Sequence, residues 1–206
     1  MDEARSVRDF WFGHLPLSAE SLNHRLRFWF GNDGSLERRR RDAHIRSRFG
    51  ALYERAAAGK LDAWADGPRR RLSLVLLLDQ FPRNMFRGTA RAFATDVPAL
   101  ALTLSGMQSG ADAALDVVER MFFYMPLQHA ESPEVQEESV AAYRRLLSEA
   151  PRELQGIFQS ALRSAENHRR IIERFGRFPY RNRVLERATT PAERTWLTQG
   201  GESFGQ

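Results

Sequence analysis

The chain of 206 residues carries 31 basic and 26 acidic side chains, and 42% of its residues are hydrophobic. These values are ordinary for a globular protein and exclude a disordered or collagen-like chain. The lack of cysteine excludes a disulfide scaffold, a thiolate nucleophile and any metal centre with cysteine ligands.

The first half of the chain is predicted to be helical, because its apolar residues recur three and four positions apart. Ser18 and Asp33 are predicted N-caps, and Pro82 is predicted to end the most apolar helix because proline lacks an amide donor. The predicted helices run over Ala4–Phe12, from Ser18 to Gly31, from Asp33 to Ala58, and over Arg70–Phe81.

The second half shows the same periodicity with clearer start signals. Asp96 and Ser132 are predicted N-caps, while Thr190 and Glu193 form a predicted capping box. Pro126 is predicted to close its helix, and Gly176 follows the end of the longest one. These helices run from Asp96 to an end between Gly106 and Gly110, over Ala111–Met125, and from Pro151 to Phe175. Two further helices are predicted to begin at Pro133 and at Pro191.

The pattern therefore predicts an all-α fold built from antiparallel helical hairpins, with residues 1–206 forming one domain. The longest aliphatic run, Leu74–Leu78, is far shorter than the roughly 20 residues that cross a bilayer, and the first residues do not resemble a signal peptide. We expect a soluble, cytoplasmic protein without a membrane partner, and the oligomeric state is left open.

Arginine dominates the basic residues, since Lys60 is the only lysine among the 31. This excess fits two explanations, the codon bias of a GC-rich genome or the recognition of carboxylates and phosphates by guanidinium groups. The run from Arg38 to Arg41 lies within a predicted helix, so its members point to more than one face. We interpret it as a solvated helix face, and we do not expect nucleic-acid binding, which favours one basic face with stacking aromatics.

Two polar residues lie on stripes that are otherwise apolar. His168 is in line with Leu154, Phe158 and Ile172, and Asp79 follows a segment that is apolar almost all round. A buried carboxylate needs a cation or several donors to stay ionised. Either these residues belong to a structural Asp–Arg network, or they line an arginine-rich pocket for an anionic ligand.

A third polar segment follows Pro126 and contains His129 and Glu131. His129 could act as a general base held by Glu131, with His168 in the same cleft. The same side chains could ligate a metal with a further carboxylate such as Glu137, but a His-x-Glu pair is not specific for metal binding. We therefore predict no metal and no cofactor, and catalysis stays an alternative.

One short motif occurs twice, each time after a long apolar helix. Phe81-Pro82-Arg83-Asn84 is echoed by Phe178-Pro179-Tyr180-Arg181-Asn182. Proline enforces a turn at such a corner, and the arginine and asparagine side chains can reach exposed carbonyls.

Four long segments and two shorter ones carry a resemblance to known sequences: Asp79–Asp96, Phe122–His129, His168–Asn182 and Gly200–Gln206, with the shorter Arg27–Phe30 and Ile45–Gly50. Together they resemble a bacterial family of unknown activity, domain of unknown function 924. The resemblance covers nearly the whole chain and implies a tetratricopeptide-like fold. It supplies no reaction.

The chain departs from the family pattern at two positions. Tyr180 stands where the family usually has histidine, and Ala90 where it has proline. Tyrosine is a poor replacement for a histidine ligand or for an acid–base group near neutral pH, which weakens a metal or histidine-pair mechanism in this member.

The sequence thus predicts a binding or interaction module whose polar groove takes an acidic peptide, a protein or a small anionic ligand. The alternative is a hydrolase-type acid–base enzyme that uses His129, Glu131 and His168. The predicted ligand-binding residues are Asp79, Arg83, Asn84, Arg87, Arg91, His129, His168, Arg181 and Asn182.

Overall fold

A computed structural model describes residues 2–13, 15, 19–31, 36–202 and 204. In these residues the protein is all-α, as predicted, and no strand occurs. The helices are α1 (Glu3–Phe12), α2 (Ala19–Phe30), α3 (Leu36–Ala57), α4 (Pro68–Leu78), α5 (Gln80–Met85), α6 (Asp96–Gln108), α7 (Val117–Phe123), α8 (Met125–His129), α9 (Pro133–Glu149), α10 (Gln155–Phe175) and α11 (Pro191–Thr198). Short 3₁₀ turns cover Asp62–Asp66, Ala90–Phe93, Asp112–Ala114, Arg152–Leu154 and Pro179–Arg181.

Local start and stop signals are confirmed at several helix ends. The Ser132 hydroxyl accepts the amide of Val135 at 3.3 Å, which caps α9. Thr190 and Glu193 form the predicted capping box of α11, and Gly176 ends α10 with a φ of 69°, where a side chain would be strained. The predicted caps Ser18 and Asp33 lie outside the described residues.

The prediction that Pro82 ends the fourth helix is wrong, because the break comes earlier. Helix α4 ends at Leu78, and Pro82 lies in the first turn of α5, where an amide has no helical acceptor. Proline cannot bond the carbonyl four residues before it, and that carbonyl, of Leu78, accepts the Thr95 hydroxyl at 2.6 Å instead. The break places Asp79 between two helices.

Pro126 also lies just after a helix break, so the predicted helix Ala111–Met125 is also wrong. Helix α7 ends at Phe123, whose carbonyl accepts the Thr103 hydroxyl at 2.9 Å, and Pro126 lies in the first turn of α8. The start is late as well, because Asp116 caps α7 in a capping box with Glu119. This second break carries His129 to the end of α8.

The predicted cap at Asp96 is wrong too. Asp96 is the first residue inside α6, and the preceding Thr95 caps the helix without a side-chain hydrogen bond. The Asp96 carboxylate is therefore not used by its own helix and can bind residues from elsewhere.

The main core surrounds α4, whose residues are buried from Leu72 to Leu78. Helices α1, α3, α6 and α7 all contact α4, and aromatic rings such as Trp11 and Phe122 fill the space between them. A smaller core near the carboxyl end is formed by Ile171, Ile172 and Phe178. Among the described helices, none combines the length and apolar character needed to cross a membrane.

Helices α9 and α10 form a long antiparallel hairpin. Arg169, near the end of α10, reaches back to Glu137 near the start of α9 at 3.2 Å. This is the helical hairpin that the short connections predict. A regular tetratricopeptide repeat and a single domain over residues 1–206 stay predictions.

Candidate functional site

Asp79 lies at the break between α4 and α5 and is fully buried. Its carboxylate accepts the Nδ1–H of His129 at 2.6 Å and the Gln80 amide at 2.5 Å, and it lies 3.1 Å from the Arg83 guanidinium. Burial would raise the pKa of Asp79, but the charge of Arg83 and the interaction with His129 outweigh it and hold the pKa at about 2. The carboxylate is therefore ionised at neutral pH.

The two corners that share a sequence motif meet at Asp96. Arg83 makes a bidentate pair with this carboxylate at 2.8 and 2.9 Å, and Arg181 donates to it at 3.1 Å. Both guanidinium groups also lie over the Phe93 ring. Arg181 continues to the carbonyl of His129 at 3.1 Å, so the corner from the carboxyl end of the chain is fixed to the end of α8. The sequence does not predict that Asp96 accepts hydrogen bonds from both Arg83 and Arg181. Its position at the start of a helix is explained equally well by a capping role.

His129 and His168 lie side by side with ring centroids 6.1 Å apart. The Nδ1 atom of His129 faces Asp79, and that of His168 lies 2.8 Å from the carbonyl oxygen of Ser164. A carboxylate and a carbonyl only accept hydrogen bonds, so each Nδ1 atom carries the proton and each Nε2 atom presents its lone pair. His168 is also stacked on the Phe204 ring at 3.6 Å.

Both histidines are held in the neutral form. Burial lowers the pKa of His129, the charge of Arg83 lowers it further, and the nearby Asp79 only partly opposes this. Burial and the neighbouring His129 lower the pKa of His168 to about 3. At neutral pH the pair offers acceptors, not positive charge.

Arg83, His129 and His168 line an open pocket of about 520 Å³. Asp79, Asp96 and Arg181 are not among its described lining residues and support the pocket from outside it. Its wall carries four arginines, two histidines, three amide side chains and three aromatic side chains. The described lining residues are Trp29, Phe30, Gly31, Arg38, Arg41, Gln80, Arg83, Asn84, Arg87, Met125, Gln128, His129, Ser164, His168, Glu202 and Phe204.

Two members of the arginine run belong to this wall, which corrects our interpretation of the run as a solvated face. Arg38 and Arg41 are partly buried and line the pocket, whereas Arg39 and Arg40 are exposed. Residues three apart share one side of a helix, and the packing of α3 against α5 turns that side toward the pocket. The spacing was visible in the sequence, but the packing was not.

Glu131 is not the partner of His129, contrary to our prediction for the enzyme alternative. Its carboxylate accepts both terminal nitrogens of Arg187, at 2.7 and 3.0 Å, and the Phe178 amide at 2.8 Å. Burial would raise the pKa of Glu131, but the Arg187 hydrogen bonds and the Phe178 amide lower it overall. Glu131 therefore fixes the carboxyl-terminal corner, and Asp79 holds His129.

The other predicted residues divide between the pocket and its surroundings. Asn84 and Arg87 line the pocket, and Arg87 is bound by Asp42 of α3 at 3.1 Å. Arg91 lies at the surface, where it pairs with the exposed Glu54.

Asn182 lies in a second buried network instead of the pocket. Its amide donates to the buried Glu193 at 3.2 Å, and its oxygen accepts from Arg187 at 3.0 Å. Arg177 pairs with the same Glu193 carboxylate at 2.7 and 2.9 Å, which lowers the pKa of Glu193 to about 2.

In the part of the chain that the structure describes, no three histidine, aspartate or glutamate side chains come together in a group that could hold a metal ion. The described residues instead define an all-helical protein with a buried Asp–Arg–His network that supports a cationic pocket. A family model described as "Bacterial protein of unknown function (DUF924)" matches residues 7–201, and the chain belongs to that family. This confirms the resemblance inferred from the sequence.

A solved structure agrees with this assignment. The protein of unknown function ATU0120 from Agrobacterium tumefaciens is 38% identical to this chain, with a TM-score of 0.78. The match covers 96% of this chain and 97% of that one. The search of curated proteins found no match.

Proposed function

We propose that the protein binds a small anionic ligand, a carboxylate or a phosphate, in this pocket. The observation that carries the proposal is the lining, because four arginines face the pocket while Glu202 is the one carboxylate among its described lining residues. Guanidinium groups bind both kinds of anion through paired hydrogen bonds. A volume of about 520 Å³ is within the range of small-molecule sites.

The arginines differ in what they can offer to a ligand. Arg83 is saturated by Asp79 and Asp96, so it contributes positive charge in a fixed place. Arg38 makes no hydrogen bond or ion pair with any described residue, and its guanidinium can turn toward an incoming anion. An acidic peptide would use the same groups through its terminal carboxylate, although the pocket volume favours a small molecule.

The first test compares neighbouring arginines of one run. Citrate and inorganic phosphate are expected to stabilise the wild-type chain by about 2.7 kcal/mol at a hundredfold excess over Kd. The variants Arg38→Ala and Arg41→Ala are expected to bind about 10- to 100-fold more weakly, since each loses a charge-assisted contact. Thermal unfolding and isothermal titration calorimetry measure both effects.

Arg39→Ala and Arg40→Ala are the matched controls, because they remove the same charge from exposed positions of the same helix. They are expected to leave affinity within about twofold of the wild type. Equal weakening by all four substitutions would show a general charge effect and contradict the pocket.

A second candidate function is acid–base catalysis, which the pairing of Asp79 with His129 favours. A carboxylate on Nδ1 fixes the ring and leaves the Nε2 lone pair of this pocket-lining histidine to act as a general base. Ser164 also lines the pocket, but its hydroxyl donates to Gln128 and not to a histidine, so the base would act on water or on the ligand itself.

His129→Asn separates this second candidate from binding alone, because asparagine keeps a donor near Asp79 and removes the base. In a screen of carboxylic esters and phosphate monoesters, any hydrolysis by the wild type is expected to fall about 10²- to 10⁴-fold in this variant. The control is His24→Asn on the exposed face of α2. Hydrolysis that survives His129→Asn would overturn the catalytic assignment.

A further inference from the structure

The two histidines that line the pocket have a chemistry that a simple anion does not match. His129 and His168 both line the pocket, and both Nδ1 atoms are used in hydrogen bonds to oxygen acceptors. Each ring therefore points a lone pair, on Nε2, away from its protein partner. Neutral rings of this kind accept hydrogen bonds and repel the oxygen lone pairs of a carboxylate or a phosphate.

The Nε2 atom of His168 is buried and has no hydrogen-bond partner among the described residues. The rings of Phe204 and Phe178 that pack on His168 offer no N–H or O–H donor. A buried acceptor without a donor is unfavourable, and such groups are uncommon in folded proteins. Nor does Nε2 of His129 bond to any described residue, so each of the two neighbouring rings carries an acceptor without a donor among the described residues.

The hydrogen-bond donor that best fits the Nε2 atoms of the two histidines is a hydroxyl group. An ammonium group would also donate, but four arginines line the same pocket and would repel its positive charge. A hydroxyl donates without charge, and the carboxylate of Glu202 on the pocket wall offers a further acceptor for a polyhydroxylated molecule.

We propose that the ligand is a small hydroxylated anion, a hydroxycarboxylate or a polyol phosphate, whose acidic group binds the arginines while each hydroxyl donates to a single Nε2 atom, that of His129 or that of His168. This rests on the proposed anion-binding function and names its ligand class. The arginines of α3 then bind the acidic group of the ligand, and the histidines of α8 and α10 bind its hydroxyl part.

Matched pairs of ligands test the role of the hydroxyl group with the full chain in isothermal titration calorimetry. Malate is compared with succinate, and glycerol 3-phosphate with n-propyl phosphate, so that the carboxylate and phosphate sources are separated. The hydroxylated member of at least one pair is expected to bind about tenfold more tightly, the effect of one well-placed hydrogen bond. His129→Asn and His168→Asn keep a donor near the Nδ1 position, and at least one of them is expected to bring that ratio close to one, with little change for the partner lacking the hydroxyl.

The outcomes separate the two proposals. Equal affinity within both pairs, unchanged by the asparagine variants, would overturn the hydroxyl assignment and leave anion binding standing. No binding of any of the four ligands, and no stabilisation by citrate or phosphate, would overturn the proposed function itself. A hydroxyl preference that persists in both asparagine variants would show that another group binds the hydroxyl, and would also overturn the assignment.

Discussion

Replacement of Asp79 by alanine is expected to lower the free energy of unfolding by about 3–5 kcal/mol, the usual effect of removing one partner of a buried ion pair. Asp79 is fully buried and is the acceptor for His129, Gln80 and the Arg83 guanidinium at once. Asp96 would still hold Arg83, but the Nδ1–H of His129 would lose its acceptor. Urea denaturation at neutral pH, followed by circular dichroism, measures the change.

Glu54→Ala is the matched control for the Asp79 experiment. It breaks the ion pair of Glu54 with Arg91, in which both side chains are about half exposed, so the expected loss is at most about 1 kcal/mol. Asp79→Asn keeps the shape of the side chain without its charge and is expected to destabilise less than alanine. A loss below 1 kcal/mol for Asp79→Ala would show that the buried carboxylate does not organise the network.

The helix ends show why local signals predicted some boundaries and missed others. A cap such as Ser132 acts within three residues, so its sequence is sufficient. Proline acts on the carbonyl four residues earlier, and the helix breaks where another segment can bond that carbonyl. Thr95 supplies that bond at Leu78, four residues before Pro82. Thr103 bonds the carbonyl of Phe123, the last residue of α7 and three residues before Pro126, and neither contact could be foreseen from the local sequence.

The site residues also divide into those that the local sequence predicts and those that depend on distant contacts. His168 was predictable because a polar residue on an apolar stripe must find a partner, and Asp79 followed by the same argument. Asp96 was missed because its place before a helix suggested a cap, while its real role depends on two distant arginines. The sequence alone does not separate Arg38 from its neighbours, since only the packing of α3 distinguishes one side of the run from the other.

The second large effect concerns pH, and it comes from His168. Burial and the neighbouring His129 lower its pKa in the folded state to about 3, with smaller contributions from the charges of Arg181 and Arg83, and the hydrogen bond to Ser164 only partly opposes this. The unfolded chain takes up this proton below about pH 6.5, while the folded chain does not. The stabilising contribution of the neutral ring is therefore complete above pH 6.5 and is lost as the pH falls toward 3.

Between pH 6.5 and pH 5 this difference is expected to remove about 2 kcal/mol from the free energy of unfolding, at 1.36 kcal/mol per pH unit. The lowered pKa of His129 acts in the same direction. Asp79 adds a further loss only at lower pH, because its pKa in the folded state is about 2. Urea denaturation at pH 7, 6 and 5 measures the slope.

His168→Phe keeps an aromatic ring against Phe204 and removes the titrating group, so its unfolding free energy is expected to fall much less between pH 7 and pH 5. His24→Phe, on the exposed face of α2, should keep the slope of the wild type. Parallel slopes for the wild type and His168→Phe would contradict the prediction. A flattened slope would show that the ring is neutral in the folded protein, and a neutral ring is the state in which Nε2 can accept a hydrogen bond from a ligand.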